Sequence, residues 1–342
     1  MTPVSLPPLS LYVHVPWCVR KCPYCDFNSH ALGGELPEDA YVERLQADLA
    51  TERDALAGRH VETVFFGGGT PSLLSASAIG RILERVDRQL GLAADAEITL
   101  EANPGTAEAG RFRGFRDVGV NRLSIGVQSF SDRALAALGR IHDAGEAERA
   151  VAMARAAGFE AINLDLMHGL PGQTRQEGLA DLERGLALET DHLSWYQLTI
   201  EPNTAFHNRP PLLPVEEILE RIEDEGAERL RAAGMQRYEV SAWARPGAEC
   251  RHNLNYWRFG DYLGVGPGAH GKLSRTLDEG LEIIRTRRTR MPEDWLAGEG
   301  PPRRPITQVE PEERIIEFML NVLRLTTGVA TRVFPERTGL PL

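Results

Sequence analysis

Six short runs rich in β-branched and aromatic residues recur along the first 200 residues, with longer amphipathic stretches between them. The runs are LYVHV (11–15), VETVFF (61–66), EITLEA (97–102), RLSIGV (122–127), INLDLM (162–167) and LSWYQLTI (193–200). Segments 38–57, 74–90, 146–157, 175–188 and 215–233 carry apolar residues at helical spacing. In 38–57, for example, Tyr41, Val42, Leu45, Leu49 and Leu56 fall on one face. Strands that alternate with helices pair in parallel through right-handed crossovers. The chain is therefore expected to build an α/β sheet, open or curled into a full or partial barrel.

After about residue 235 the alternation stops. Residues 246–270 are rich in glycine and aromatics, 291–309 hold several prolines and read as a connector, and EPEERIIEFMLNVLRL (310–325) reads as an amphipathic helix. This divides the chain into a core (1–235), an extension (236–300) and a C-terminal helical segment (301–342). No run of about 18 apolar residues exists, so no transmembrane helix is expected. MTPVSLPPLS at the N-terminus lacks the apolar centre of a signal peptide. Both point to the cytoplasm. A net charge of -11 argues against a general nucleic-acid binder. The basic runs at 285–290 and Arg303–Arg304 read as solvated loop charges.

Chemistry-bearing residues gather where the strands end. Cys18, Cys22 and Cys25 follow the first run, and GGGTP (67–71) follows the second. Glu101 and Asn103 end the third, Gln128 ends the fourth, Asp165 lies late in the fifth, and Thr199 and Glu201 end the sixth. In a parallel α/β sheet or barrel these ends share one rim, where active sites form.

CVRKCPYC holds three of the four cysteines. In a reducing compartment such a cluster points to metal or redox chemistry. Zinc would need a fourth ligand, for which Cys250 or His30 is available. A cubane iron–sulfur cluster held by three thiolates keeps one iron open to a small molecule. Consecutive glycines let backbone approach a ligand that side chains would block.

CVRKCPYC after the first strand, with GGGTP after the second, resembles the radical S-adenosylmethionine superfamily. The resemblance implies a partial (β/α)6 TIM-type barrel with a C-terminal α+β extension. It also implies a [4Fe–4S] cluster on Cys18, Cys22 and Cys25 whose open iron chelates S-adenosylmethionine, the source of a 5′-deoxyadenosyl radical. YVHVPWCVRKCPYCDFNSH, FFGGGTPS, EANP, LSIGVQSF, LGRIHD and NLDLMHGLPGQT narrow it to the family that unites oxygen-independent coproporphyrinogen III oxidases with HemW-type heme chaperones. By motif, Tyr12, Tyr24, Gly68, Gly69, Thr70, Glu101, Gln128, Arg140 and Asp165 would contact S-adenosylmethionine. Arg140 suits the methionyl carboxylate. Gln128 and Asp165 suit the ribose, and Glu101 suits either the methionyl side or a ribose hydroxyl.

Two features depart from the oxidase pattern. That pattern has a cysteine two positions after the third, where this chain has Phe27, and only 17 residues precede Cys18. HNLNYW (252–257) resembles the heme-associated motif of the chaperones. His252 is the candidate iron ligand, with Tyr256 and Trp257 packing on the porphyrin. Cys250 and His270, beside the glycine-rich LGVGPGAHG, are the further candidates. The expected function is binding heme and delivering it to acceptors such as respiratory-chain hemoproteins, with no residue given a catalytic role. An electron donor serves the cluster, and transient membrane contact is compatible with this. The alternative is a radical oxidase acting on a porphyrinogen. Relatives also continue beyond ERTGLPL, so the C-terminal region looks short.

Overall fold

A computed structural model describes residues 6–53, 56–106, 109–277, 280–300, 302 and 304–342. The N-terminal MTPVS and Arg303 lie outside the described residues. In chain order the strands are β1 Leu9–Val15, β2 Trp17–Cys18, β3 His30–Ala31, β4 Val61–Gly68, β5 Leu92–Ala102, β6 Arg122–Gln128 and β7 Ala161–His168. They continue as β8 His192–Gln197, β9 Gln236–Glu239, β10 Ala242–Ala244, β11 Asp261–Val265, β12 His270–Leu277, β13 Gly280–Arg287 and β14 Ile306–Gln308. β2 and β3 pair with each other, and the other twelve form one sheet.

Strands β1, β4, β5, β6, β7 and β8, the six read from sequence, lie side by side in chain order and pair in parallel. The extension lengthens both edges. β11 pairs in parallel with β1, and β12, β13 and β14 follow antiparallel, while β10 and β9 pair antiparallel beyond β8. One cavity is lined by Tyr12, Phe65, Glu101, Ser124, Asp165 and Ser194, one residue from each of the six parallel strands. A flat sheet cannot do this, so the strands curl into a partial barrel.

The strands alternate strictly. Residues facing the outer helices are apolar and buried: Leu11, Val13, Val64, Phe66, Ile98, Leu100, Leu123, Ile125, Leu164, Leu166 and Leu193. The inward positions between them are mostly polar: Ser10, Tyr12, His14, Thr63, Thr99, Glu101, Ser124, Asn163, Asp165 and Ser194. Parallel strands covered on both faces usually read as continuous apolar runs. Alternation here means that the inner face lines a chamber.

The helix expected over 38–57 spans Glu38–Ala50. The chain leaves it in time for Glu52 to meet Arg288 and Arg304 in buried ion pairs. The connector 291–309 holds a short helix, Pro292–Ala297, and β14. The basic positions are not merely solvated loop charges. Arg288 is fully buried between Asp48 and Glu52, Arg285 is forked onto Glu317, and Arg304 meets Glu52. HNLNYW is helical, within Arg251–Trp257. No helix among the described residues is long and apolar enough to cross a membrane.

Candidate cofactor site

The loop after β1 carries Cys18, Cys22 and Cys25, all free thiols of intermediate burial. A tight turn links the last two, with the Cys25 N–H donating to the Cys22 carbonyl at 3.2 Å. Ser29 Oγ lies 3.4 Å from Cys25 Sγ, and an Arg140 guanidinium nitrogen donates to Cys22 Sγ at 3.7 Å. Burial raises the Cys18 thiol above its ordinary value, and a bound metal would favour its thiolate.

The three thiols line a chamber of about 430 Å³ together with Tyr24, Gly68, Gly69, Thr70, Glu101, Gln128, Arg140 and Asp165. Eight of the nine positions expected to meet S-adenosylmethionine are thus brought to the cysteines. The ninth, Tyr12, faces the adjoining spaces below and beside, with its hydroxyl 3.0 Å from His14 Nδ1.

Backbone geometry explains the glycines. Gly68 has φ +114°, and a Cβ there would lie 2.5 Å from the His14 ring; at Gly69 it would lie 2.5 Å from the Trp17 carbonyl oxygen. The Gly68 N–H donates to Glu101 at 3.1 Å. Burial, and then the neighbouring Asp165, push the Glu101 carboxyl up to about 8. Asp165 accepts from Asn163 at 2.8 Å and Ser124 at 3.1 Å, while burial raises its pKa as well. Gln128 sits at a β6 irregularity with φ +69°, a strained backbone for a non-glycine residue. Its side-chain oxygen accepts from the Tyr196 hydroxyl at 2.8 Å. Arg140 donates to the Gly126 carbonyl at 2.6 Å, and its buried Nε has no partner among the described residues.

Ser29, Ser124, Met167 and Tyr196 also line the chamber and were not singled out from sequence. Ser124 and Tyr196 were findable: each falls on the inward register of its strand, in step with Gln128 and Asp165.

Three thiolates in one chamber, with an unpartnered guanidinium nitrogen and close-approach glycines beside them, fit a cubane cluster and a zwitterionic ligand. The zinc alternative does not fit. Among the described residues no three His, Cys, Asp or Glu side chains converge on a single metal position. Cys250 donates to Glu97 at 3.6 Å, and His30 is engaged with Asn28 at 3.1 Å.

The helix Arg251–Trp257 packs against β1, β4 and β11. The backbone N–H groups of Arg251 and His252 donate to Glu97, and Asn255 reaches Ser10 on β1. His252 is 1% exposed. Its Nδ1 lies 2.8 Å from Thr63 Oγ1, its ring sits 5.0 Å from both Phe65 and Tyr256, and its Nε2 has no partner among the described residues. Burial pushes its pKa down to about 3. It faces a lower chamber of about 280 Å³, which Cys250 also lines. Burial pushes the Cys250 thiol up to about 12. Tyr256 lines this chamber and a third one of about 770 Å³ beside the extension strands, whereas Trp257 lines neither and stacks under Arg324 at 4.3 Å.

The sequence pattern of the Radical SAM superfamily matches residues 12–184. The heme chaperone HemW of Escherichia coli (strain K12) is 54% identical over 337 residues, covering 98% of this chain and 88% of that protein. The heme chaperone HemW of Haemophilus influenzae is 50% identical over 340 residues, with the same coverage. That of Bacillus subtilis (strain 168) is 36% identical over 339 residues, covering 97% and 88%. Among solved structures, coproporphyrinogen III oxidase (HemN) from Escherichia coli, described as a radical SAM enzyme, aligns with a TM-score of 0.80 at 24% identity. It covers 98% of this chain and 80% of that one, and at that identity the likeness speaks for the fold.

Proposed function

This chain belongs to the radical SAM superfamily and to the HemW family within it, and on that premise we propose that it binds heme and hands it to acceptor proteins. The observation that carries the reading is the chamber in which Cys18, Cys22 and Cys25 meet the S-adenosylmethionine residues, with a larger chamber of about 770 Å³ against it. When bound, a [4Fe–4S] cluster on the three thiolates supplies an open iron for S-adenosylmethionine and an electron to its sulfonium.

The chain's own residues orient that ligand. Arg140 donates to Cys22, and its Nε, without a partner among the described residues, supports pairing with the methionyl carboxylate. Gly68 and Gly69 admit the methionyl amino group at close range. Gln128 and Asp165 hold the ribose, each braced by a neighbour, Tyr196 or Asn163. Asp165, and Glu101 once a cationic ligand expels its proton, supply the negative character that a sulfonium needs. Tyr24 and Phe27 cap it from the cysteine loop. Phe27 is 61% exposed at the position where the oxidase pattern has a cysteine, which supports a site open to a departing ligand over one sealed around a radical.

In this reading HNLNYW closes the amino end of the barrel. Tyr256 faces heme and His252 braces Tyr256 from behind. Direct ligation of iron by His252 would require the helix Arg251–Trp257 to move. We place the activity in the cytoplasm, with hemoproteins of the respiratory chain as acceptors, met in transient contact with the membrane where they reside there, and with an electron donor for the cluster.

The deciding experiment uses the full chain, reconstituted anaerobically with iron and sulfide. Near-stoichiometric binding of ferric heme and its transfer to an apo-hemoprotein are expected, with no decarboxylation of coproporphyrinogen III when S-adenosylmethionine and a reductant are present. Robust formation of protoporphyrinogen without stable heme binding would replace the chaperone reading with the oxidase one.

A further inference from the structure

The barrel's inward face continues onto the extension. Tyr262 pairs with Lys272, and His270, two residues earlier on β12, stands opposite Arg287 on β13. Residues directly opposite in an antiparallel pair share a face. Tyr262 is also level with Ser10 on β1, an inward position. Tyr262, His270 and Arg287 therefore extend the lining of the barrel beyond its edge. Opposite them stands the cysteine loop, whose Asn28 donates to the carbonyls of Pro267 at 3.1 Å and Arg290 at 2.9 Å. Between loop and strands lies the chamber of about 770 Å³, within the range of about 300–1,000 Å³ usual for cofactor sites. Phe27, Gly68 and Glu101 line both it and the cluster chamber.

Its chemistry is specific. Tyr256 and Tyr262 stand edge to face with centroids 4.2 Å apart, and the exposed Phe27 also lines the chamber, giving it aromatic walls. Two histidines line it. His14 is fully engaged, between Asn28 and the Tyr12 hydroxyl. His270 is exposed and its ring makes no hydrogen bond among the described residues, so a ring nitrogen is free to ligate, and partial desolvation followed by the neighbouring Arg285 and Arg287 lowers its pKa, which favours the neutral imidazole. Arg285 and Arg288 are committed to carboxylates. Arg287 and Arg290 are exposed and meet no carboxylate among the described residues, on a chain whose net charge is -11.

We propose that this side chamber is the heme site, with His270 as the protein ligand to iron, Tyr256, Tyr262 and Phe27 against the macrocycle, and Arg287 with Arg290 on the two propionates. The inference rests on the chaperone reading and assigns its ligand a place. The lower chamber that His252 faces, at about 280 Å³, falls short of the usual cofactor range. In the side chamber heme would share a wall with the cluster site, so release could respond to what that site holds.

The test compares ferric heme, heme dimethyl ester and iron-free protoporphyrin IX on the cluster-loaded full chain, by absorbance titration. His270→Ala should weaken heme by at least about tenfold and shift the Soret band, while iron-free protoporphyrin binds as before. Arg287→Ala with Arg290→Ala should weaken heme and protoporphyrin by a similar factor but leave the dimethyl ester unchanged. Unaltered cluster content and S-adenosylmethionine affinity certify folding, and His270→Gln serves as the second variant. A wild-type Soret band and affinity in His270→Ala would overturn the proposal, as would loss of that band in His252→Gln alone. Absence of heme binding by the unmodified chain would instead remove the chaperone reading itself.

Discussion

Arg140 and Asp165 show how much depends on single side chains in a closed chamber. Arg140 commits one nitrogen to the Gly126 carbonyl and one to Cys22, leaving Nε unpartnered. A charge-assisted bond there is worth about 1.5–3 kcal/mol. Arg140→Ala should weaken S-adenosylmethionine by that amount in calorimetry, and Asp165→Ala should weaken it too, with cluster content retained in both. Replacing Cys18, Cys22 or Cys25 with Ala should abolish the broad iron–sulfur absorbance, whereas Cys250→Ala, remote beside Glu97, should leave it intact. Glu101 adds a pH dependence. Its folded-state pKa is raised to about 8, so the carboxyl is mostly protonated at neutral pH. A cationic ligand favours the ionised form, so binding must expel that proton. Affinity should therefore rise with pH up to about 8 and level off above it. In Glu101→Gln this part of the slope should vanish; an unchanged slope would place the titration elsewhere.

Among the elements, the cysteine loop and the Gly266–Gly268 turn act as one piece. Asn28 is the clamp. Its amide donates to two carbonyls of the extension, its side-chain oxygen lies 3.1 Å from His30 Nε2, and its backbone carbonyl meets His14 at 2.9 Å. Gly268, at φ +78°, has no room for a Cβ because Asn28 Nδ2 would be 2.2 Å away. Asn28→Ala leaves the partly buried Pro267 carbonyl without its donor, at about 1–3 kcal/mol, while the exposed Arg290 carbonyl turns to water. The variant should still take up a cluster but lose it faster in air, followed by decay of its absorbance. Equal decay rates would mean that the loop holds its shape without the clamp. The two contacts with Pro267 and Arg290 could not be read from the chain, because they join residues about 240–260 apart in sequence.

Across the molecule, the extension is bound to the barrel by buried charge as well as by sheet pairing. Asp261, at the start of β11, accepts from Arg59 at 2.7 Å, Lys272 at 3.1 Å and both the N–H and hydroxyl of Ser274. These partners overcome burial and hold its carboxyl below the usual range. Asp261→Ala would strand the fully buried Lys272 ammonium, a loss of about 3–5 kcal/mol. It should lower the denaturation midpoint and loosen β11–β13, read as faster amide exchange in those strands; exchange confined to the first residues of β11 would contradict this. Because Asp261 is ionised in the fold, this stabilisation holds above the ordinary Asp range and is lost as pH falls through the depressed value.

The sequence alone determined the six strands, their parallel pairing and the rim on which they converge, because alternating strand and helix periods leave few other ways to bury apolar faces. It also determined the three cysteines and the GGGTP turn, since those residue types at that spacing are local properties of the chain. The polar inward register of the strands was written there too, although only the closed barrel reveals which face is inside. Tertiary structure alone decided that HNLNYW forms a helix burying His252, that β11–β14 extend the barrel beyond β1, and that His270, Arg287 and Tyr256 meet across a chamber. Those outcomes depend on pairings such as Leu9 with Asp261 and on ion pairs such as Asp48 with Arg288, whose partners are more than 200 residues apart. Their energies come from burial, which no local pattern records.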